Sequence, residues 1–453
     1  MATLGSKTQS GSADLASVAA SSHQTQVPFG TVFTLVWLSL MFEYVRPQVM
    51  AQVPLFGLPT LIGLCTGVYW LGKGDKSVLK DPLLLGYIAF IMVMIVSLAA
   101  TVNQYWWFQH TRNVIMYLIA VVLPGVAFLA NPSQVSRLLK AFVLFNVVLA
   151  IWVMTHAGKG PTGPMADEND ACLALVVALP YAWFLSQSPR NTAKQKMMFL
   201  GAAVVILLGI VATASRGGFV GLAVVALSIF FLSPNKMRNL FIGLLLGLVM
   251  LWQAPDTFWK EMGTITDTKE ETADERLFTW RRGLEMWADH PFLGVGAGNF
   301  PWRLAEYQLK SREHDPMERR VLGGRQAHSI YLTVLPELGI IGTTVFVALI
   351  WNIVRKLRKT AGTARKYRSD PICEELFLLN RAVMMSLLGF LSAGAFISVL
   401  YYPHLWYLIG FALMVEHALA LAMQGVSADA GSSPESTRRA AKGRRLGVAL
   451  KSQ

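Results

Sequence analysis

Charge is scarce in this chain: Asp, Glu, Lys and Arg make up 15% of 453 residues, where soluble domains carry about a quarter. Cysteine is scarcer, with three residues. Cys65 and Cys172 fall in apolar runs and Cys373 in a basic stretch, which argues against a disulfide framework or a thiolate metal site. Residues 1–27 are rich in Ser, Gln and Ala and lack the charged and apolar regions of a secretory signal, so they read as a disordered cytoplasmic tail. No RNA- or DNA-binding motif accompanies the net charge of +13, and nucleic acid is not an expected partner.

What fills the chain instead is apolar: 54% of residues are hydrophobic and the mean hydropathy is positive, at +0.45. Apolar runs recur near 28–44, 54–71, 83–101, 112–130, 138–156, 170–187, 197–213, 217–233, 239–253, 330–354, 377–399 and 405–423. A helix of about 20 residues crosses the hydrocarbon core. The expected fold is therefore all-α, a polytopic membrane bundle of about twelve transmembrane helices with a large periplasmic loop containing amphipathic helices.

Charge placement tests that count. Lys73, Lys76 and Lys80; Arg137 and Lys140; Arg190, Lys194 and Lys196; Lys236 and Arg238; and the run Arg355, Lys356, Arg358, Lys359, Arg365, Lys366 and Arg368 all fall in alternate loops. Arg438, Arg439, Lys442, Arg444 and Arg445 close the chain on the same side. Cationic loops stay in the cytoplasm, so both termini are expected inside and the protein in a bacterial inner membrane. The organisation read this way is a tail at 1–27, helices 1–9 over 28–253, a periplasmic loop over 254–327, helices 10–12 over 328–423 and a basic tail over 424–453.

Basic residues that could do chemistry converge on the outer face. Arg216 sits in Thr213-Ala214-Ser215-Arg216-Gly217-Gly218, a tight turn between two spans. A charge there needs water, a partner or an anion; it is either a snorkelling arginine or an anion ligand, and the glycines permit close backbone approach. Thr272-Ala273-Asp274-Glu275 has the pattern of a capping box. Leu277, Trp280, Leu284 and Trp287 then recur at helical spacing, an apolar stripe for the bundle or membrane surface. Arg276, with Arg281 and Arg282 nearby, would ride on that helix at headgroup depth, and Pro291 should end it.

Gly294-Val295-Gly296-Ala297-Gly298 follows with no strand before it, so it reads as a tight return loop and not as a nucleotide site. His328, in Arg325-Gln326-Ala327-His328-Ser329, opens the next apolar run. Histidine exchanges a proton near neutral pH, and a helix N-terminus disfavours its cation. Structural and general-base roles both remain open for it. Pro336 is expected to kink the helix behind it. Asp167, Glu168 and Asp170 form an acidic cluster on the outer side; helix capping accounts for it without a metal. Arg46 and Arg112 lie at outer helix ends and could extend an anionic site.

Taken together, Arg276-x-x-x-Trp280, Asp289-x-Pro291-x-x-Gly294-x-Gly296, Asn299-Phe300, Ala327-His328-Ser329-x-Tyr331-Leu332 and Glu337-Leu338-Gly339-x-x-Gly342 resemble the O-antigen ligase/polymerase family. The Ser215-Arg216-Gly217 turn matches it too, and the resemblance covers roughly residues 170–350. It implies that outer arginines bind the diphosphate of an undecaprenyl-linked glycan and that the histidine is the base. Tyr44-Val45-Arg46-Pro47-Gln48 and Asp167-Glu168-Asn169-Asp170-Ala171 look like the exosortase-associated O-glycosylation ligases within it. The family more often has Asn after its histidine, where this chain has Ser329.

The expectation is a metal-independent, cofactor-free, inverting glycosyltransferase acting at the periplasmic face. His328, Arg216 and Arg276 would be catalytic, and Arg46, Arg112, Asn169, Arg281, Arg282 and Arg325 would bind substrate. Its partners would be the lipid-linked donor, a glycan, lipid or protein acceptor, and membrane lipids. A polymerase of the same family is the alternative. A non-enzyme transporter or flippase is the rival class, and it should show mid-membrane charges or repeat symmetry.

Overall fold

The computed structural model describes residues 30–50, 52, 57–162, 166–232, 237, 271–310 and 323–431. Every regular element among them is helical. The principal helices are α1 (Thr31–Tyr44), α2 (Leu58–Lys73), α3 (Pro82–Val96), α4 (Gln104–Tyr117), α5 (Pro132–Thr155), α6 (Glu168–Leu185), α7 (Ala193–Ala212) and α8 (Arg216–Leu232). They continue with α9 (Glu271–Asp289), α10 (Phe300–Lys310), α11 (Tyr331–Ala364), α12 (Pro371–Ala393) and α13 (Pro403–Gly431). α4 runs on to Phe128 through a π-helical turn at Leu118–Val122.

Eight of these, counted with their extensions, are long and apolar enough to cross a membrane: α3 to α7 and α11 to α13. α1 and α8 are apolar but shorter, and α2 has 16 residues. The run at 239–253 lies outside the described residues. Among the described residues, eight helices thus have the length and apolarity of a crossing, with α1 and α8 as shorter apolar helices beside them.

α6 forms the centre. It is buried along nearly its whole length and packs on α5, α7, α8 and α12. Small residues set these contacts: a Cβ at Gly218 would lie 2.1 Å from Cys172 Sγ, and one at Gly221 would lie 2.9 Å from the Gly389 carbonyl. Ser386 donates to the Val177 carbonyl at 2.6 Å, binding α12 to α6 inside the bundle.

The two ends of the bundle differ in chemistry. At one end the basic loops meet. Lys356 contacts Asp81 at 2.7 Å and Glu416 at 2.5 Å. Lys140 donates to Asn191 at 2.6 Å, and Glu375 receives both Ser188 and Arg190. Cys373, which falls in a basic stretch of the sequence, is buried in the first turn of α12.

At the opposite end α9, α10 and the loops around them form a cap with its own core of Phe278, Met286, Val295, Phe300, Leu304, Tyr307 and Ala327. Burying a large apolar side chain contributes about 1.5–3 kcal/mol, enough to seat the cap firmly. The buried face of α9 carries Phe278, Arg282 and Met286, while Leu277 and Leu284 of the sequence stripe stay exposed. α9 is already helical at Glu271, so Thr272 is not its first cap, and Glu275 instead pairs with Arg325 at 3.1 Å.

The main irregularity lies in α11. Its ladder breaks at Gly339, with φ 62° and ψ −165°, three residues beyond Pro336. Unpaired backbone at membrane depth costs several kcal/mol per group unless protein fills the gap. The return loop after α9 fills it. Val295 and Gly296 N–H donate to the Pro336 and Glu337 carbonyls at 2.8 and 2.9 Å, and Ile340 N–H donates to the Pro291 carbonyl at 2.8 Å. Gly294, Gly296 and Gly298 all have positive φ, and a Cβ at Gly294 would lie 2.4 Å from the Pro336 oxygen. The glycine run is thus a backbone plug.

Candidate active site

The end of the bundle opposite the basic loops gathers most of the candidate residues. Arg216 is the first residue of α8. Before it the backbone reverses through Ala214, at φ 50°. Ser215 then caps α8, accepting from Gly218 N–H at 3.1 Å, and its hydroxyl donates to Asn169 Oδ1 at 2.7 Å. Asn169 in turn donates through Nδ2 to Asp167 at 2.9 Å, and Asp167 caps α6 by accepting from Asn169 N–H at 2.8 Å. The Arg216 turn is therefore fastened to the head of α6 by the Ser215–Asn169 hydrogen bond, and Asp167 holds Asn169 in place.

Asp167 also reaches His328 electrostatically. Burial lowers the His328 imidazole below its ordinary value, Arg276 and Arg325 push the same way, and Asp167 opposes them. The histidine is thus held neutral, mainly by desolvation, with cations and an anion facing it. It does not begin α11, which starts at Tyr331, but lies in the preceding turn with φ 50°. A non-glycine residue there costs about 1–3 kcal/mol and persists only where its surroundings impose it. Here Trp280 Nε1 of α9 donates to the Ala327 carbonyl at 2.7 Å and Ile330 N–H donates to the Gly394 carbonyl at 2.7 Å, fixing the backbone on both sides.

The remaining candidates divide. Arg325, beside His328, ties the turn to α9 through Glu275. Arg281 is exposed on α9. Arg282 is buried, over the Phe278 ring at 4.9 Å and 3.2 Å from Glu285, and belongs to the core of the cap. Arg46 and Arg112 line a different cavity, described below. Of the acidic trio, Asp167 is engaged in capping and Asp170 is buried with Tyr402 as an electrostatic neighbour.

Sequence reasoning passed over a polar layer beneath the His328 turn. Glu337, buried two turns along α11, accepts from Gly298 N–H at 2.7 Å, Phe300 N–H at 3.0 Å and Tyr401 Oη at 2.6 Å. With His110, Gln326, Thr333, Ser398 and Tyr402 it lines a cavity of about 40 Å³, sized for ordered water and not for a sugar ring. A carboxylate inside an apolar run was the signal, since such groups in membrane helices are rarely idle.

These elements, the Arg216 turn, α9, the glycine plug and the His328 turn, fall within one stretch, residues 201–347, which matches the family model described as O-antigen ligase. Residues 201–347 are thus similar to an O-antigen ligase domain. The resemblance to the O-antigen ligase/polymerase family is supported on that match, and the O-antigen ligase domain points to a multi-pass membrane glycan transferase using lipid-linked glycan and acceptor substrates. The match does not separate the exosortase-associated branch from the rest. No curated protein matches the chain.

Proposed function

We propose that this O-antigen ligase domain transfers a glycan from undecaprenyl diphosphate to an acceptor hydroxyl at the periplasmic face of the bacterial inner membrane. One observation carries the reading. The Arg216 turn, joined through Asn169 to Asp167, lies at the same end of the bundle as His328, which is electrostatically coupled to both Asp167 and Arg276.

A polyprenyl diphosphate is already a good leaving group, so the protein need only bind it and offset the charge that grows as it leaves. Arginine does this with paired hydrogen bonds, which strengthen in a water-poor site. The acceptor oxygen attacks the anomeric carbon with inversion. The bond from that carbon to the diphosphate oxygen breaks, and its electron pair leaves with the diphosphate. The acceptor proton passes to His328, whose neutrality suits a general base. Arg216 and Arg276 fill the charge-neutralising role, so the reaction as proposed needs no metal.

The acceptor decides between ligase and polymerase. Tyr44 to Gln48 and Asp167 to Ala171 favour an exopolysaccharide or O-glycosylation ligase, with a polymerase as the alternative. Purified protein given lipid-linked glycan and acceptor in detergent tests the transfer directly. Turnover without compartments is expected, and no product with any acceptor class overturns the proposal. Mass spectrometry of surface glycans from a deletion strain separates the two activities. Loss of attachment to finished chains indicates a ligase, and accumulation of short lipid-linked units indicates a polymerase.

A further inference from the structure

A second and larger cavity, of about 280 Å³, lies between α1, α2, α4 and α13 at the same end of the bundle as His328. It shares no lining residue with the small polar cavity under the His328 turn. α4 and the start of α13 separate them: His110 and Tyr402 face one, Arg112 and Tyr407 the other.

Its lining has a definite chemistry. Arg46 sits inside, 13% exposed in its side chain, with φ 51°. It is held by Glu43 at 3.2 Å and donates to the Thr162 carbonyl at 2.6 Å, so its charge is answered internally. Arg112 is exposed at the rim and donates to the neutral Asn113 amide at 3.1 Å. Among the described residues no carboxylate lies within ion-pair distance of Arg112. Gln48 Oε1 is buried with no hydrogen-bond partner among the described residues, a desolvation cost that a ligand donor would relieve. Tyr117 and Tyr407, edge to face at 5.4 Å, give part of the wall an aromatic character.

The geometry points to a second binding site in this cavity, for an acidic saccharide unit whose anionic group meets Arg112 and whose hydroxyls meet Gln48 and Glu43. The cavity volume suits one or two sugar rings, near the lower end of ordinary ligand pockets. A phosphatidylglycerol headgroup carries the same pairing of negative charge with hydroxyls and is the other source of this chemistry. The site goes beyond the transfer reaction and is read by binding, so it stands or falls separately from the role of His328.

Full-length protein in nanodiscs of pure phosphatidylcholine is titrated with digalacturonate and with a neutral disaccharide. Saturable binding of the acidic sugar is expected, with the neutral one about tenfold weaker and Arg112→Gln costing about the same factor. Gln48→Leu should also weaken it, Arg112→Lys should retain part of it, and His328→Ala should leave it unchanged. Phosphatidylglycerol is then introduced into the nanodiscs. Displacement of the sugar in an Arg112-dependent way assigns the site to the lipid headgroup, and undiminished sugar binding assigns it to the saccharide. Absence of saturable binding by either, or affinities indifferent to Arg112 and Gln48 in variants with wild-type melting temperatures, overturns the inference.

Discussion

His328 sits among charges of both signs, and that makes its role measurable. Its imidazole is lowered below the ordinary value by burial and by Arg276 and Arg325, and Asp167 opposes them. A base must be neutral, so the acid limb of the rate profile should lie below the pH typical of free histidine. Arg276→Gln removes a positive neighbour, favours the imidazolium and should move that limb to higher pH. Asp167→Asn removes the opposing charge and should move it lower. A pH–rate series on both variants checks the signs, and an unmoved limb in both would show that neither side chain faces the imidazole. His328→Ala should lower turnover about 10²- to 10⁴-fold, the range of general-base catalysis, read as glycan build-up at normal expression. Arg216 and His328 are legible from sequence because basic groups at apolar boundaries demand an explanation. Tyr402, Asp167 as the link between them, and the positive φ of His328 arise only when distant segments meet.

At the scale of the element, the glycine plug and the break in α11 form one device. A Cβ at Gly339 would lie 2.3 Å from the Phe292 carbonyl oxygen, with φ 62° besides. Gly339→Ala should therefore cost about 1–3 kcal/mol from backbone strain alone, visible as a lower melting temperature. Gly30→Ala, whose Cβ would meet nothing within 4 Å, is the control. The glycine spacing reads correctly as a return loop. Its docking partner is invisible in sequence, because the break falls at Gly339 while proline chemistry points to Pro336. The apolar stripe of α9 leaves a choice open for a related reason. Helical spacing finds two faces, Leu277–Leu284 and Phe278–Met286, and only packing decides which is buried. With Leu277 and Leu284 exposed beside Trp280 and Trp287, Leu284→Asp should weaken contact with lipid while leaving the core of the cap intact. Depth-dependent quenching of tryptophan fluorescence in liposomes checks this.

For the whole molecule, apolar runs announce a helical membrane bundle, and eight of the described helices reach crossing length. Run length cannot distinguish the 14-residue α1 from a full crossing when polar turns follow closely. The basic loops do meet at one end of the bundle, through Lys356, Lys140 and Arg190. If that end is cytoplasmic, single cysteines introduced at Lys194 and Arg281 should differ in labelling of intact cells, with position 281 alone reached by an impermeant maleimide. Equal labelling would remove the orientation on which the periplasmic reaction depends. Lys356→Met leaves two carboxylates facing one another without their shared cation. It should destabilise the bundle by about 2 kcal/mol, reduced from the cost of fully buried pairs because the group is partly solvated.

The fit of residues 291–296 into the gap at Gly339 also imposes an order of assembly. The plug emerges from the ribosome before its socket exists, and its backbone amides must stay wetted until the later helix enters the bilayer. Closure of the cap therefore waits for that insertion, so a chain arrested ahead of it would present the candidate arginines without the histidine turn.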